Sequence, residues 1–161
     1  MIEREKRWKV NNINSIPTDK IIDKFTITQV YSNFSPDVRI RKISRENKNE
    51  FYHTVKYQLK NNEREEIEQK ISKERYGRIF DTIDKKPVIK ERTIIDIGNG
   101  LHGEVDKFET GDIIVEVEFP TTESMQSFEI PLWFGSEIKN NKSFSYTIFA
   151  KINNITNSIW D

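Results

Sequence analysis

Acidic residues recur at alternate positions along this chain, as Glu3/Glu5, Glu66/Glu68, Glu104/Asp106 and Glu116/Glu118, and basic residues do the same at Arg39/Arg41 and Lys90/Arg92. On a β-strand, residues two apart point the same way, and two such carboxylates repel unless a cation lies between them. Their natural guests are hard divalent ions, Mg²⁺ or Mn²⁺, which take carboxylate, water and phosphate oxygens. Side-by-side guanidinium and ammonium groups grip phosphate oxygens with several donors at once. Together the two sets suit a linear polyphosphate carrying one or two metal ions better than any neutral substrate.

Composition removes most competing chemistries. Among 161 residues there is no cysteine, and His53 and His102 are the only histidines, so zinc–thiolate sites and a cysteine nucleophile are excluded. His53 falls on the apolar side of its strand with Val55 and Tyr57 and reads as structural; His102 sits among turn glycines. The 26 basic and 26 acidic residues cancel, which leaves no one-signed field to hold nucleic acid or an anionic membrane. No apolar run approaches the roughly 18 residues that span a bilayer, and the N-terminus stays charged where a signal peptide would turn apolar. These features describe one cytoplasmic domain over residues 1–161.

The positioning elements follow from the alternation, which has period two. It predicts strands over 2–10, 26–31, 38–43, 51–59, 64–71, 88–95, 103–108 and 113–119. Turn residues at Ser35-Pro36-Asp37, Lys60-Asn61-Asn62, Gly98-Asn99-Gly100 and Thr110-Gly111-Asp112 make sequential neighbours antiparallel. Helices are expected over 72–83, near 121–126 and around 144–155. In this register one face collects Glu3, Glu5, Arg7, Lys9, Arg39, Arg41, Lys56, Arg64, Glu66, Glu68, Lys90, Arg92, Glu104, Asp106, Glu116 and Glu118, and the other collects Val, Ile and aromatic residues. An open sandwich with its charges in water would also alternate. The clustering of like charges favours a mainly β fold in which eight antiparallel strands close into a barrel around a charged tunnel, with a few helices packed outside. Trp8 faces outward, toward a helix or a partner subunit, so a homodimer is left open. Trp133 and Phe134, bracketed by Pro131 and Gly135, read as a packed plug beside the barrel rather than a base-stacking platform.

Glu3-Arg4-Glu5-Lys6-Arg7 resembles the ExExK signature that opens the first strand of the CYTH superfamily, the triphosphate tunnel metalloenzymes. The likeness continues in order through Ile27–Tyr31, Val38–Arg41, Tyr52–Lys56, Arg64–Glu68, Glu104–Asp106, Ile114–Phe119 and Pro131–Ile138, where the Trp-Phe-Gly stretch is similar to a short bacterial single-domain branch. The resemblance implies a closed eight-stranded barrel whose tunnel binds a triphosphate for metal-dependent hydrolysis or cyclisation. It carries the metal ligands onto Glu3, Glu5, Glu116 and Glu118, and the phosphate clamp onto Arg39, Arg41, Lys56, Lys90 and Arg92, with Arg64, Glu66 and Glu68 on a further lining strand. Arg7 stands where the signature has lysine, exchanging a point donor for a planar fork. Around Lys139–Tyr146 the chain departs from the usual acidic and basic-aromatic pattern, which places Tyr146 at the tunnel end.

The activity expected is that of a Mg²⁺- or Mn²⁺-dependent triphosphatase acting on inorganic tripolyphosphate. In it Arg7, Lys9 and Arg64 join the clamp, Lys56 stabilises the transferring charge, and Glu66 or Glu68 orients the attacking water. Two alternatives share the tunnel: a class IV-type adenylate cyclase or a nucleoside or thiamine triphosphatase, which would need a base pocket at one mouth, and a non-catalytic polyphosphate- or nucleotide-binding module.

Overall fold

A computed structural model describes residues 1–139 and 141–155, and of 141–143 the backbone alone. Its elements are β1 (Ile2–Lys9), β2 (Ile21–Phe34), β3 (Asp37–Arg45), β4 (Lys48–Lys60), β5 (Glu63–Ile71), α1 (Lys73–Thr82), β6 (Val88–Gly98), β7 (Leu101–Phe108), β8 (Ile113–Glu118), α2 (Thr122–Gln126), β9 (Glu137–Ile138) and α3 (Asn141–Ile152). The strands run in the order β5-β4-β3-β2-β6-β7-β8-β1, and β1 pairs back onto β5, so the antiparallel sheet closes into an eight-stranded barrel. Closure removes the free edges that an open sheet of this size would present.

The β1 strand is shared between two partners on one edge. Ile2 to Arg4 pair with Glu65 to Glu63 of β5, while Arg7 and Trp8 pair with the short β9, which the alternation did not reveal. Two residues are too few to carry a periodic signal. Beside it, Gly135 donates its N–H to the Lys9 carbonyl, and a Cβ at Gly135 would lie 2.7 Å from that oxygen, so only glycine fits. The β2 strand begins at Ile21 rather than residue 26, because Ile21 to Phe25 continue the ladder with β6 although their sequence, Ile-Ile-Asp-Lys-Phe, does not alternate cleanly.

Burial is inverted relative to a sandwich: two apolar clusters lie outside the barrel wall and one caps its end. Trp8, Val10, Ile95, Val105, Val115, Val117 and Phe119 pack under Phe128, Trp133 and Phe134 of the segment that follows β8. Trp8 and Phe134 rings are 4.9 Å apart, so the Trp-Phe pair plugs the exterior as expected. Val30, Ile40, Phe51 and Ile71 are covered by α1 through Tyr76, with Ile79, Phe80 and Ile83 around them. Ser72 caps α1 by accepting from the Arg75 N–H. The third cluster joins Ile148 and Phe149 of α3 to Tyr31, Val88, Phe108 and Ile114, which line the end of the barrel where β1 finishes. The C-terminal helix, starting at Asn141 rather than 144, therefore covers a barrel end instead of lying along the wall. α1 covers the outer face of β4 and β5 only at Phe51 and Ile71; farther along the two strands Tyr57, Leu59 and Ile67 are exposed among the described residues.

Candidate active site

Inside the barrel, twelve residues line a cavity, and all are ionisable: Glu3, Glu5, Glu66, Glu104, Glu116 and Glu118 against Arg7, Arg39, Arg41, Lys56, Lys90 and Arg92. Cross-strand register explains their convergence, since partners in an antiparallel pair share a face. Glu5 lies opposite Glu118, Arg7 opposite Glu116, Glu104 opposite Glu116, and Lys56 opposite Glu66.

The two signs are sorted along the axis. At the end covered by α3, Arg7, Arg39 and Lys90 border the apolar cap together with Gln29, Tyr31 and two carboxylates held by these cations, Asp106 and Glu116. At the other end Glu104 and Glu118 border a solvent-facing recess with His102 and Pro120. Exposure rises in that direction: the Asp106 side chain is 1% exposed and that of Glu104 is 24%. We call the carboxylate-rich end the mouth.

Most of the buried charges are paired, as the cost of burying a lone charge requires. Arg7 donates to Glu116 at 2.5 Å, and Arg64 to Glu5. Lys56 bridges Glu3 at 3.1 Å and Glu66 at 3.4 Å. Arg92 holds Asp106 through two bonds, of 2.8 and 2.9 Å, and also reaches Glu104.

Three groups stand out from this pairing. No ion pair joins Glu118 to a described residue, and its pKa is pushed up to about 7, first by burial and then by the charges of Glu3, Glu104, Glu5 and Glu66. Arg41 is buried and, among the described residues, has a single ionic contact, to Glu68 at 4.0 Å, and no partner at Nε; burial and the neighbouring Arg92 and Arg39 push its pKa down. Lys90 sits 2.8 Å from Asp106, yet its pKa falls to about 7, because burial dominates and Arg92 and Arg41 repel it. One carboxylate cannot compensate two buried cations, and Arg92 takes the better share of Asp106, whose own pKa drops to about 2 despite burial. The lumen thus has a surplus of negative charge at the mouth and of positive charge inside.

The structure brings together Glu3, Glu5, Glu116 and Glu118, the carboxylates assigned to metal, and Arg7, Arg39, Arg41, Lys56, Lys90 and Arg92 from the clamp. It does not bring Lys9 to the lumen. Although Lys9 alternates onto the same face as Arg7, β1 ends there and the side chain is exposed beyond the barrel. Arg64 is held behind the lining by Glu5 and Asp37. Glu68 also lies outside the lining, where it accepts from the Thr54 hydroxyl at 3.0 Å and faces Arg41. Tyr146 does not line the tunnel either; it packs edge-on against Phe34 at 5.2 Å, while its neighbour Ser145 is the residue that faces Arg7.

Sequence reasoning missed Asp37 and Gln29. Asp37 binds Arg39 through two bonds, at 3.1 and 2.8 Å, and Gln29 is 2% exposed between Arg39 and the Tyr31 hydroxyl. The signal was present, since Asp37, Arg39 and Arg41 alternate onto one face, but Asp37 was read as part of the Ser35-Pro36-Asp37 turn.

The donors at the mouth are all carboxylate oxygens, the set hard divalent ions prefer. Among the described residues no three of them are yet drawn together as a finished ligand set. The fit rests on the crowding of Glu118 by four like charges, which a cation would relieve.

No family model matches the chain, and no curated protein matches it. Solved structures do. The inorganic triphosphatase NE1496 aligns over 88% of this chain and 89% of its own, at 23% identity and a TM-score of 0.60. The PH1012 protein from Pyrococcus horikoshii OT3 aligns over 92% and 90%, at 20% identity and 0.61. HpAC1 from Hippeastrum, described as a putative adenylyl cyclase with a dominant triphosphatase activity, aligns over 98% and 93%, at 13% identity and 0.56. The chain shares the fold of these structures, a closed antiparallel barrel, and here its interior is charged.

Proposed function

We propose that the protein is a divalent-metal-dependent triphosphatase that hydrolyses inorganic tripolyphosphate within the barrel. The observation that carries this reading is the wholly ionisable lumen, with under-compensated cations inside and crowded carboxylates at the mouth. Such a cavity is too polar to serve as a core and is electrostatically complete only with a polyanion and its counter-cation. The resemblance of the fold to a known inorganic triphosphatase supports it.

In this reading Arg7, Arg39, Arg41 and Lys90 hold the phosphate run, with Arg41 gaining the most because it has the weakest protein partner. Glu3, Glu5, Glu116 and Glu118 would hold Mg²⁺ or Mn²⁺, which when bound draws charge from phosphate oxygens as a Lewis acid. Lys56 lies between the two regions, fixed by Glu3 and Glu66, and stabilises the charge on the transferring group. Glu66 orients the attacking water, because it lines the lumen whereas Glu68 does not.

Incubation with tripolyphosphate, ATP and thiamine triphosphate, each with Mg²⁺, Mn²⁺ or chelator, tests the proposal. Metal-dependent orthophosphate release, fastest from tripolyphosphate, is expected. Cyclic AMP from ATP with little release from tripolyphosphate, or tight metal-dependent binding of tripolyphosphate without turnover, would overturn it.

A further inference from the structure

Asp37 is a carboxylate on the basic side of the barrel, away from the acidic mouth. It is the first residue of β3, its side chain is buried, and it stands opposite Lys56 in the β3–β4 ladder. Arg39 grips both its oxygens, and Arg64 approaches Oδ2 at 3.7 Å. Burial alone would raise its pKa, but Arg39, Arg64 and Lys56 outweigh burial and keep it ionised.

Asp37 does not border the main lumen. It borders a second, smaller cavity, which shares Lys56 with the lumen and is also lined by Arg64, Gln58 and Ser145. A phosphate chain that ran past Arg39 and Lys56 would enter this space next. There the cations it would meet are already compensated, Arg64 by Asp37 and Lys56 by Glu3 and Glu66, while straight ahead lies the apolar cap under α3. An anion faces repulsion on one path and loss of hydration on the other.

We propose that Asp37 is a specificity-determining residue: a built-in anion that occupies the place of a fourth phosphate and ends the substrate run at three. This rests on the triphosphatase reading. If the residue is an end-stop, removing its charge leaves Arg64 and Lys56 facing the side cavity and opens it to a longer chain. If Asp37 merely braces Arg39, its loss weakens every polyphosphate alike.

The test compares wild type and Asp37→Asn on tripolyphosphate and linear tetrapolyphosphate, with Mg²⁺ or Mn²⁺, by kcat/KM and by calorimetric binding. Wild type is expected to prefer the triphosphate at least tenfold, and the variant to lose most of that preference through tighter tetraphosphate binding. An unchanged ratio of the two substrates in Asp37→Asn, or a fall in affinity for both by the same factor, overturns the inference. So does a wild type that takes tetraphosphate as readily as triphosphate, a measurement that stands even if the variant fails to fold. Absence of metal-dependent binding or turnover of tripolyphosphate in wild type would instead defeat the triphosphatase reading on which the inference rests.

Discussion

Glu5 and Glu118 stand opposite each other across β1 and β8, yet substituting them has opposite expected effects on stability. Glu5 is 3% exposed and bonded to Arg64, with Arg7 at 3.8 Å, so Glu5→Gln strands buried cations and should cost about 3 kcal/mol in chelator-treated protein. Glu118 has its pKa raised to about 7, so folding favours its protonated form, and its ionisation erodes stability as pH rises from the unfolded value through 7. Without metal, Glu118→Gln should therefore leave stability unchanged at pH 4 and raise it at pH 8 by about 1 kcal/mol, once screening at this half-buried site is allowed for. Urea melts of both variants at the two pH values check the pair. Lys90 carries the opposite sign of strain. Its pKa is lowered to about 7, so the cost of its buried charge is fully present below pH 7 and disappears as pH rises toward its unfolded value. A polyanion bound beside it should restore the charge, so tripolyphosphate binding at pH 8 should take up close to one proton. Calorimetry in buffers of different ionisation enthalpy reads that uptake, which should vanish in Lys90→Arg.

At the scale of elements, what the sequence made legible is what repeats. All eight barrel strands are marked by alternation, β2 only from residue 26 onward, and twelve convergent charges follow from that alternation plus closure. What did not repeat was not legible: β9 is two residues long, and Lys9 keeps the alternation of β1 but has run past the end of the barrel. The position of α3 was hidden for a different reason. Periodicity shows that a helix has apolar residues but not whether they meet a wall or an opening, and Ile148 and Phe149 meet the opening framed by Tyr31, Val88 and Phe108. Ile148 is 1% exposed, so Ile148→Ala should cost about 2–4 kcal/mol, measured by denaturant unfolding. Because it also leaves a gap in the cap beside Arg7, the same variant is expected to weaken tripolyphosphate binding by admitting water to the inner end.

For the molecule as a whole, equal numbers of basic and acidic residues conceal an internal separation of charge rather than neutrality. The apolar clusters that hold the barrel lie outside its wall or across its end, so stripping a cation from the mouth should leave the circular dichroism spectrum intact. Adding Mg²⁺ or Mn²⁺ at a hundred times its dissociation constant should raise stability by about 2.7 kcal/mol, read as an upward shift in Tm that chelator reverses. The helix drawn across one end has a kinetic corollary. If reactant enters and products leave by the same doorway, traffic is last in, first out: the fragment nearest the mouth departs first, and the one lodged against Arg7, Arg39 and Lys90 waits behind it. Turnover would then be paced by clearance of that innermost fragment, and accumulating orthophosphate would compete with fresh substrate for the berth it has yet to vacate.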